Sequence, residues 1–189
     1  SENMISKFYS RTHNMGITRD IYASIGGFGE LRHGQDIEFS HRIMQSGAKI
    51  IFLREALVYH RRRSTMSQFS KQTFNWGVAR INLGKIDYKM LELVHFLPTL
   101  GCAFAVVTLF ILLNKGLSIL SIVSFYLIPL SITSFLGTFK KKDIRVFPYL
   151  MAVIPIQLAS YGLGFLQAFI RRFIFNESEI TGFTKRYYK

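Results

Sequence analysis

Three long stretches without a charged residue, Phe96 to Asn114, Gly116 to Phe139 and Val146 to Ile170, constrain this chain more than any other feature. A helix needs about 20 apolar residues to cross the ~30 Å hydrocarbon core of a bilayer. Each stretch meets that length or comes close. One such run fits a buried helix of a large soluble protein. Three in succession within 189 residues would need a surrounding soluble core that the chain cannot supply. The sequence therefore predicts a membrane-embedded protein.

Most of the charged residues of this chain, whose formal net charge is +13, lie elsewhere, in residues 1–92, so a basic, soluble-looking part precedes the apolar part. Lys and Arg bias sets orientation. Arg80, Lys85 and Lys89 precede the first run, Lys115 alone follows it, and four basic residues lie between Lys140 and Arg145. This pattern predicts a cytoplasmic N-terminal part and second connection. Three crossings would place Arg171, Arg172, Lys185, Arg186 and Lys189 outside, against the bias, unless Pro148 and Pro155 break the third run and lay its end along the interface. Ser1-Glu2-Asn3 carries neither an initiator Met nor a signal-like apolar region, so the expectation is a chain cut at its front. The single cysteine, Cys102, excludes an internal disulfide.

The division expected is 1–64 as a partial catalytic domain, 65–90 as an amphipathic interfacial helix and linker, 91–175 as about three transmembrane helices, and 176–189 as a polar basic tail. Within the first part, Arg19 to Ile25 reads as a short helix stopped by Gly26-Gly27. Asp36 to Ser46 reads as a helix with Phe39 and Ile43 on one face and Gly47 beyond its end. Lys49 to Leu53 and Ala56 to Tyr59 read as strands. Met66 to Leu83 reads as an amphipathic helix with Phe69, Thr73 and Trp76 on one face. Two or three strands in ~90 residues make a thin core, which suggests part of an α/β sheet domain.

Four features could carry chemistry, and each has a plainer reading. Asp36, after Gly34-Gln35, suits helix capping, because a carboxylate there accepts backbone N–H bonds and favours the dipole. It also suits a general base at a loop–helix junction. His60 suits a polar surface position or, as an imidazole, a metal. The following Arg61-Arg62-Arg63 suits a diphosphate or anionic lipid headgroups. Gln72 to Trp76, with Arg80 one turn on, suits an aromatic belt at the interface or a sugar-stacking Trp. Gly26-Gly27-Phe28 needs only a turn to explain it.

The order Asn14-Met15, Arg19, Gly26-Gly27-Phe28, Gly34-Gln35-Asp36, His60 and Gln72-Thr73-Phe74-Asn75-Trp76 resembles the C-terminal half of the catalytic domain of membrane-bound family 2 glycosyltransferases. The resemblance covers residues 13–80. It implies an α/β fold, a partial Rossmann-like GT-A domain with a mixed sheet, followed by an α-helical membrane domain. It implies Asp36 as the catalytic base, Gln35, Arg62, Gln72, Trp76 and Arg80 as substrate-binding residues, and His60 as a metal ligand. Gln35 stands where the family has Glu, Asn75 replaces an arginine, and the family's Asp-x-Asp motif does not occur in the chain.

The activity so implied is inverting sugar transfer from a nucleotide-diphosphate sugar to a lipid-linked or polysaccharide acceptor at the membrane, with Mg or Mn. The chain alone is not expected to bind nucleotide. The alternative is a non-catalytic membrane anchor or scaffold subunit. Nucleic acid is the weaker partner for the basic residues, because the charge clusters beside the apolar runs, where anionic lipid is nearer.

Overall fold

The computed structural model describes residues 9–60 and 64–183. They form two compact units, one ending at Arg63 and the other beginning at Ser64.

In the first unit, helices α1 (Arg19–Ser24) and α2 (Gln35–Gln45) flank a glycine loop. Gly26 and Gly27 both have positive φ, which closes α1 and turns the chain back. Phe39 is fully buried on the inner face of α2. Its ring lies 4.3 Å from that of Phe28 and 5.9 Å from that of Tyr22. Ile37, Ile43 and Leu31 complete this small core. Both helices thus fall where their patterns predict, with ends shifted by one residue.

The expected α/β, Rossmann-like mixed sheet is not formed: there is no strand among the described residues. Lys49 to Leu53 and Ala56 to Tyr59 are irregular, separated by a turn at Arg54-Glu55. Their β-branched and aromatic content satisfies the strand pattern, but a strand exists only through the backbone ladder of a neighbour. Here Ile51, Phe52, Leu53, Leu57 and Tyr59 stand exposed instead. The backbone bonds in this stretch are local, such as Leu57 N–H to Glu55 C=O at 2.9 Å.

The second unit is helical. Helix α3 (Met66–Ile86) starts where the Thr65 hydroxyl accepts the Gln68 N–H, and it runs one turn beyond the predicted Leu83. Short turns at Tyr88–Met90 and Leu93–Phe96 lead into α4 (Leu97–Asn114), with Pro98 in its first turn. Helix α5 (Ile119–Lys141) follows the Ser118 cap, and α6 (Val146–Phe169) ends in a π-helical turn, Ile170–Ile174. The spans Leu93–Asn114, Ile119–Lys141 and Val146–Ile174 are each long and apolar enough to cross a membrane. The chain is accordingly a membrane protein, and its outward Phe104, Phe110, Phe135 and Leu136 side chains suit lipid contact.

Helix α3 packs along α6. The Ser70 and Ser160 hydroxyls are 2.7 Å apart, Phe74 meets Gly164, and Gly77 meets Phe165. The two residue numbers rise together, so the helices run parallel. Val78, Ile81, Phe165 and Ala168 bury between them. Helix α4 runs the other way along α6. Phe96 stacks edge-on against Phe165 at 4.8 Å, Thr99 donates to Gly162 C=O at 3.1 Å, and Cys102 reaches Leu158 C=O.

The chain after α6 folds back on α3. The Asn82 amide donates to Ile180 C=O at 2.8 Å, and its oxygen accepts the Ile180 N–H. Seven residues earlier, the Asn75 amide forms the same two-way pairing with Phe183, both bonds at 2.7 Å. Ile180 is buried, and Phe183 packs against Phe74 at 5.0 Å. Glu177 accepts from Arg171, which holds its carboxyl below the usual carboxylate range.

Candidate functional site

The first unit builds one site with catalytic potential, at the start of α2. Gly34 is the N-cap, in left-handed conformation with φ +83°, so Gln35 and Asp36 occupy the first two helical positions. The amide of Gln35 donates to Gly29 C=O at 2.7 Å. Arg42, two turns along the same helix, donates to Gly27 C=O at 2.7 Å and also to Ile25 C=O. Its guanidinium pairs with Glu38 as well, at 3.0 Å for the Nη2–Oε2 bond. Side chains of α2 therefore hold the glycine loop that precedes it. Glu38 is nearly buried, so breaking this network would cost roughly 1–3 kcal/mol.

Asp36 lies mostly covered, its side chain 17% exposed. One carboxylate oxygen accepts the Ile37 N–H at 3.0 Å, and the other accepts from the Arg11 guanidinium at 3.2 Å. Arg11 is largely exposed, so the ion pair is worth only ~0–1 kcal/mol and orients the carboxylate more than it stabilises the fold. The Asp36 C=O accepts the Ser40 hydroxyl, which lies 3.2 Å from that of Ser10. The segment carrying Ser10 and Arg11 is thus fastened to α2 at two points. A carboxylate so placed serves the helix dipole, and it retains acceptor capacity for a hydroxyl proton.

His60 is exposed and stacks on His13, with ring centroids 4.4 Å apart and planes 14° from parallel. No group of three His, Cys, Asp or Glu side chains suited to a metal occurs among the described residues. The stacked His60–His13 pair does not make a metal centre by itself. Arg62 lies outside the described residues.

The remaining predicted site residues lie in the second unit, on α3. Trp76 is 44% exposed, off the face that packs on α6, while Gln72 and Arg80 are half-buried. Asn75, between Gln72 and Trp76, is engaged by the Phe183 backbone. The buried face of α3 runs through Thr73, Gly77, Ile81 and Asn82, so of the predicted Phe69, Thr73 and Trp76 face only Thr73 is buried.

Sequence reasoning missed Arg11, His13, Glu38 and Arg42. The Glu38–Arg42 pair had a legible signal in its spacing of four on a predicted helix. Arg11 had none, being 25 residues from the carboxylate it touches.

No known protein family, no curated protein and no solved structure matches the chain. The resemblance to membrane-bound family 2 glycosyltransferases is therefore corrected. It rests on short motifs in order, no family comparison returns it, and the sheet it requires is absent among the described residues.

Proposed function

We propose that this chain takes part in an inverting sugar transfer at a membrane, from a nucleotide-diphosphate sugar to a lipid-linked or polysaccharide acceptor. The observation that carries the reading is Asp36: a largely covered carboxylate at the opening of a helix, aimed by Arg11 and set behind a loop that α2 itself holds in shape. In the proposed step a carboxylate oxygen of Asp36 takes the proton of an acceptor hydroxyl. The freed oxygen attacks the anomeric carbon from the face opposite the diphosphate. The bond from that carbon to the phosphate oxygen breaks, and its electron pair leaves with the diphosphate. General-base help of this kind is worth roughly 10²–10⁴-fold. The exposed Trp76 ring supports a sugar as the substrate class, since its apolar face suits pyranose C–H groups.

A second reading, a non-catalytic membrane anchor or scaffold, is favoured by one observation. Asn75, between Gln72 and Trp76, is occupied by the backbone of Phe183. Asp36→Asn separates the two readings. The amide keeps the size of the side chain but has one acceptor oxygen in place of two, so it gives up the weak ion pair with the exposed Arg11, and it cannot act as the base. The expected result, for protein expressed from its whole reading frame in native membranes, is sugar transfer reduced by at least 10²-fold at unchanged expression. Transfer within a few-fold of wild type would remove Asp36 from the chemistry.

A further inference from the structure

The second unit carries a contradiction if all three apolar helices cross the membrane. Three crossings put the segment before α4 and the segment after α6 on opposite sides. The structure puts them together. Asn82, shortly before α4, pairs with Ile180 after α6, and Asn75 pairs with Phe183. Phe96, at the entrance to α4, packs against both Phe165 and Phe169 at the exit of α6, at 4.8 and 6.4 Å. Helix α3 cannot supply a missing crossing. It carries Lys71, Arg80 and Lys85 and is not among the helices apolar enough to span. With both segments on one side, the number of crossings between Leu93 and Ile174 must be even.

Charge and composition identify the helix that does not cross. The most apolar 18-residue stretch within Val146–Ile174 is less apolar than those of Leu93–Asn114 and Ile119–Lys141, and more of it is covered by protein. Helix α6 has Pro155 in its interior, Pro148 in its first turn, and Gln157 along its length. Its C-terminal half touches both α3, from Ser70–Ser160 to Gly77–Phe165, and the first two turns of α4, from Phe96–Phe165 to Cys102–Leu158, so it lies where a helix bearing lysine and arginine meets the entrance of α4. Both of its ends are basic: Lys140, Lys141, Lys142 and Arg145 at the start, Arg171 and Arg172 at the finish. Crossing by α4 and α5 leaves Lys115 alone on the far side and gathers all these cations on one leaflet. That is the arrangement Lys/Arg bias favours, and it suits anionic headgroups.

We propose that the chain crosses the membrane twice, as an α4–α5 hairpin, and that α6 lies with α3 in one leaflet, on the side where α3 meets the chain after α6. Helices α3 and α6 then form a two-helix layer resting on lipid, its basic residues level with the headgroups. The α4 and α5 helices, about 27 and 35 Å long at 1.5 Å per residue, are sufficient for the two crossings.

Single cysteines test this in a Cys102→Ala background, using a membrane-impermeant maleimide on sealed vesicles before and after permeabilisation. Tyr88→Cys, Lys141→Cys and Ser178→Cys are expected to react from one side, and Lys115→Cys from the other. Reaction of Ser178→Cys and Tyr88→Cys from opposite sides would restore three crossings and overturn the proposal. So would Lys141→Cys reacting with Lys115→Cys, which would make α6 a spanning helix. Reporter domains fused after residue 189 and inserted between Lys115 and Gly116 give the same readout without cysteine substitution. They must report opposite sides; the same side overturns the hairpin.

Discussion

A methyl group on Gly77 of α3 would lie 3.2 Å from the carbonyl carbon of Gly164 on α6, and one on Gly164 would lie 2.9 Å from the carbonyl carbon of Phe74. Each glycine opens its helix to the other's backbone. Small residues let helix backbones approach this closely, and dispersion between the close surfaces then supplies much of the packing energy.

Gly164→Ala is therefore expected to destabilise the second unit. Alanine gains up to about 1 kcal/mol of helix propensity over glycine. Against this stands an overpacking cost of roughly 1–3 kcal/mol, toward its upper end because the obstructing atoms are backbone and cannot rotate away. The net loss should appear as a lower midpoint of thermal unfolding in detergent. Gly101→Ala on α4 is the control, since nothing lies within 4 Å of the added methyl, and it should leave the midpoint unchanged or raised. Equal midpoints for the two variants would mean that the helices are not in backbone contact.

Asn82→Ala should release the chain after α6. It leaves the Ile180 C=O and N–H without partners in a buried setting, at a cost of roughly 1–3 kcal/mol. Each 1.4 kcal/mol raises the open population about tenfold. Chymotryptic cleavage after Phe183 should accelerate accordingly, because proteolysis follows the population of the open form. Asn75→Ala should do the same to a smaller extent, its pairing being more exposed. Cleavage of Asn82→Ala at the wild-type rate would show that the pairing does not hold this segment.

Arg42→Met should loosen the glycine loop in front of α2. The guanidinium fork reaches Ile25 C=O, Gly27 C=O and Glu38 together, and the compact ammonium of Arg42→Lys cannot reproduce that geometry. Hydrogen exchange in residues 25–34 is expected to rise about tenfold in both variants. Unchanged exchange would show that Gln35 and the aromatic core suffice to fix the loop.

The helices were legible because their signals are local. Gly26-Gly27 and Gly47 punctuate α1 and α2, and Phe39 and Ile43 recur at helical spacing. The face of α3 was not legible in the same way. A hydrophobic pattern favours Phe69 and Trp76, whereas the structure uses Gly77, whose value is the side chain it lacks. The strands at 49–59 failed for another reason. Composition can propose a strand, but the ladder that makes one must come from a neighbouring segment, and the described residues hold none in place. In the candidate site, Asp36 stood out through its position behind Gly34. Arg11, which aims it, is distant in sequence, and no periodicity announces such a contact. Asn75, taken as a departure from a motif, answers to the Phe183 backbone 108 residues away.

That separation bears on how the protein is made. Asn82 is synthesised 98 residues before Ile180, the partner of its amide. At roughly 5–20 residues per second of translation, α3 must wait on the order of 5–20 s for this pairing. During that interval its glycine face and both asparagines have no α6 or returning chain to cover them, although α4 and α5 are already emerging from the ribosome. Residues 180–183 therefore complete the surface of a helix made long before, and a nascent chain stopped short of Ile180 would present that helix to whatever insertion or quality-control factor stands nearest.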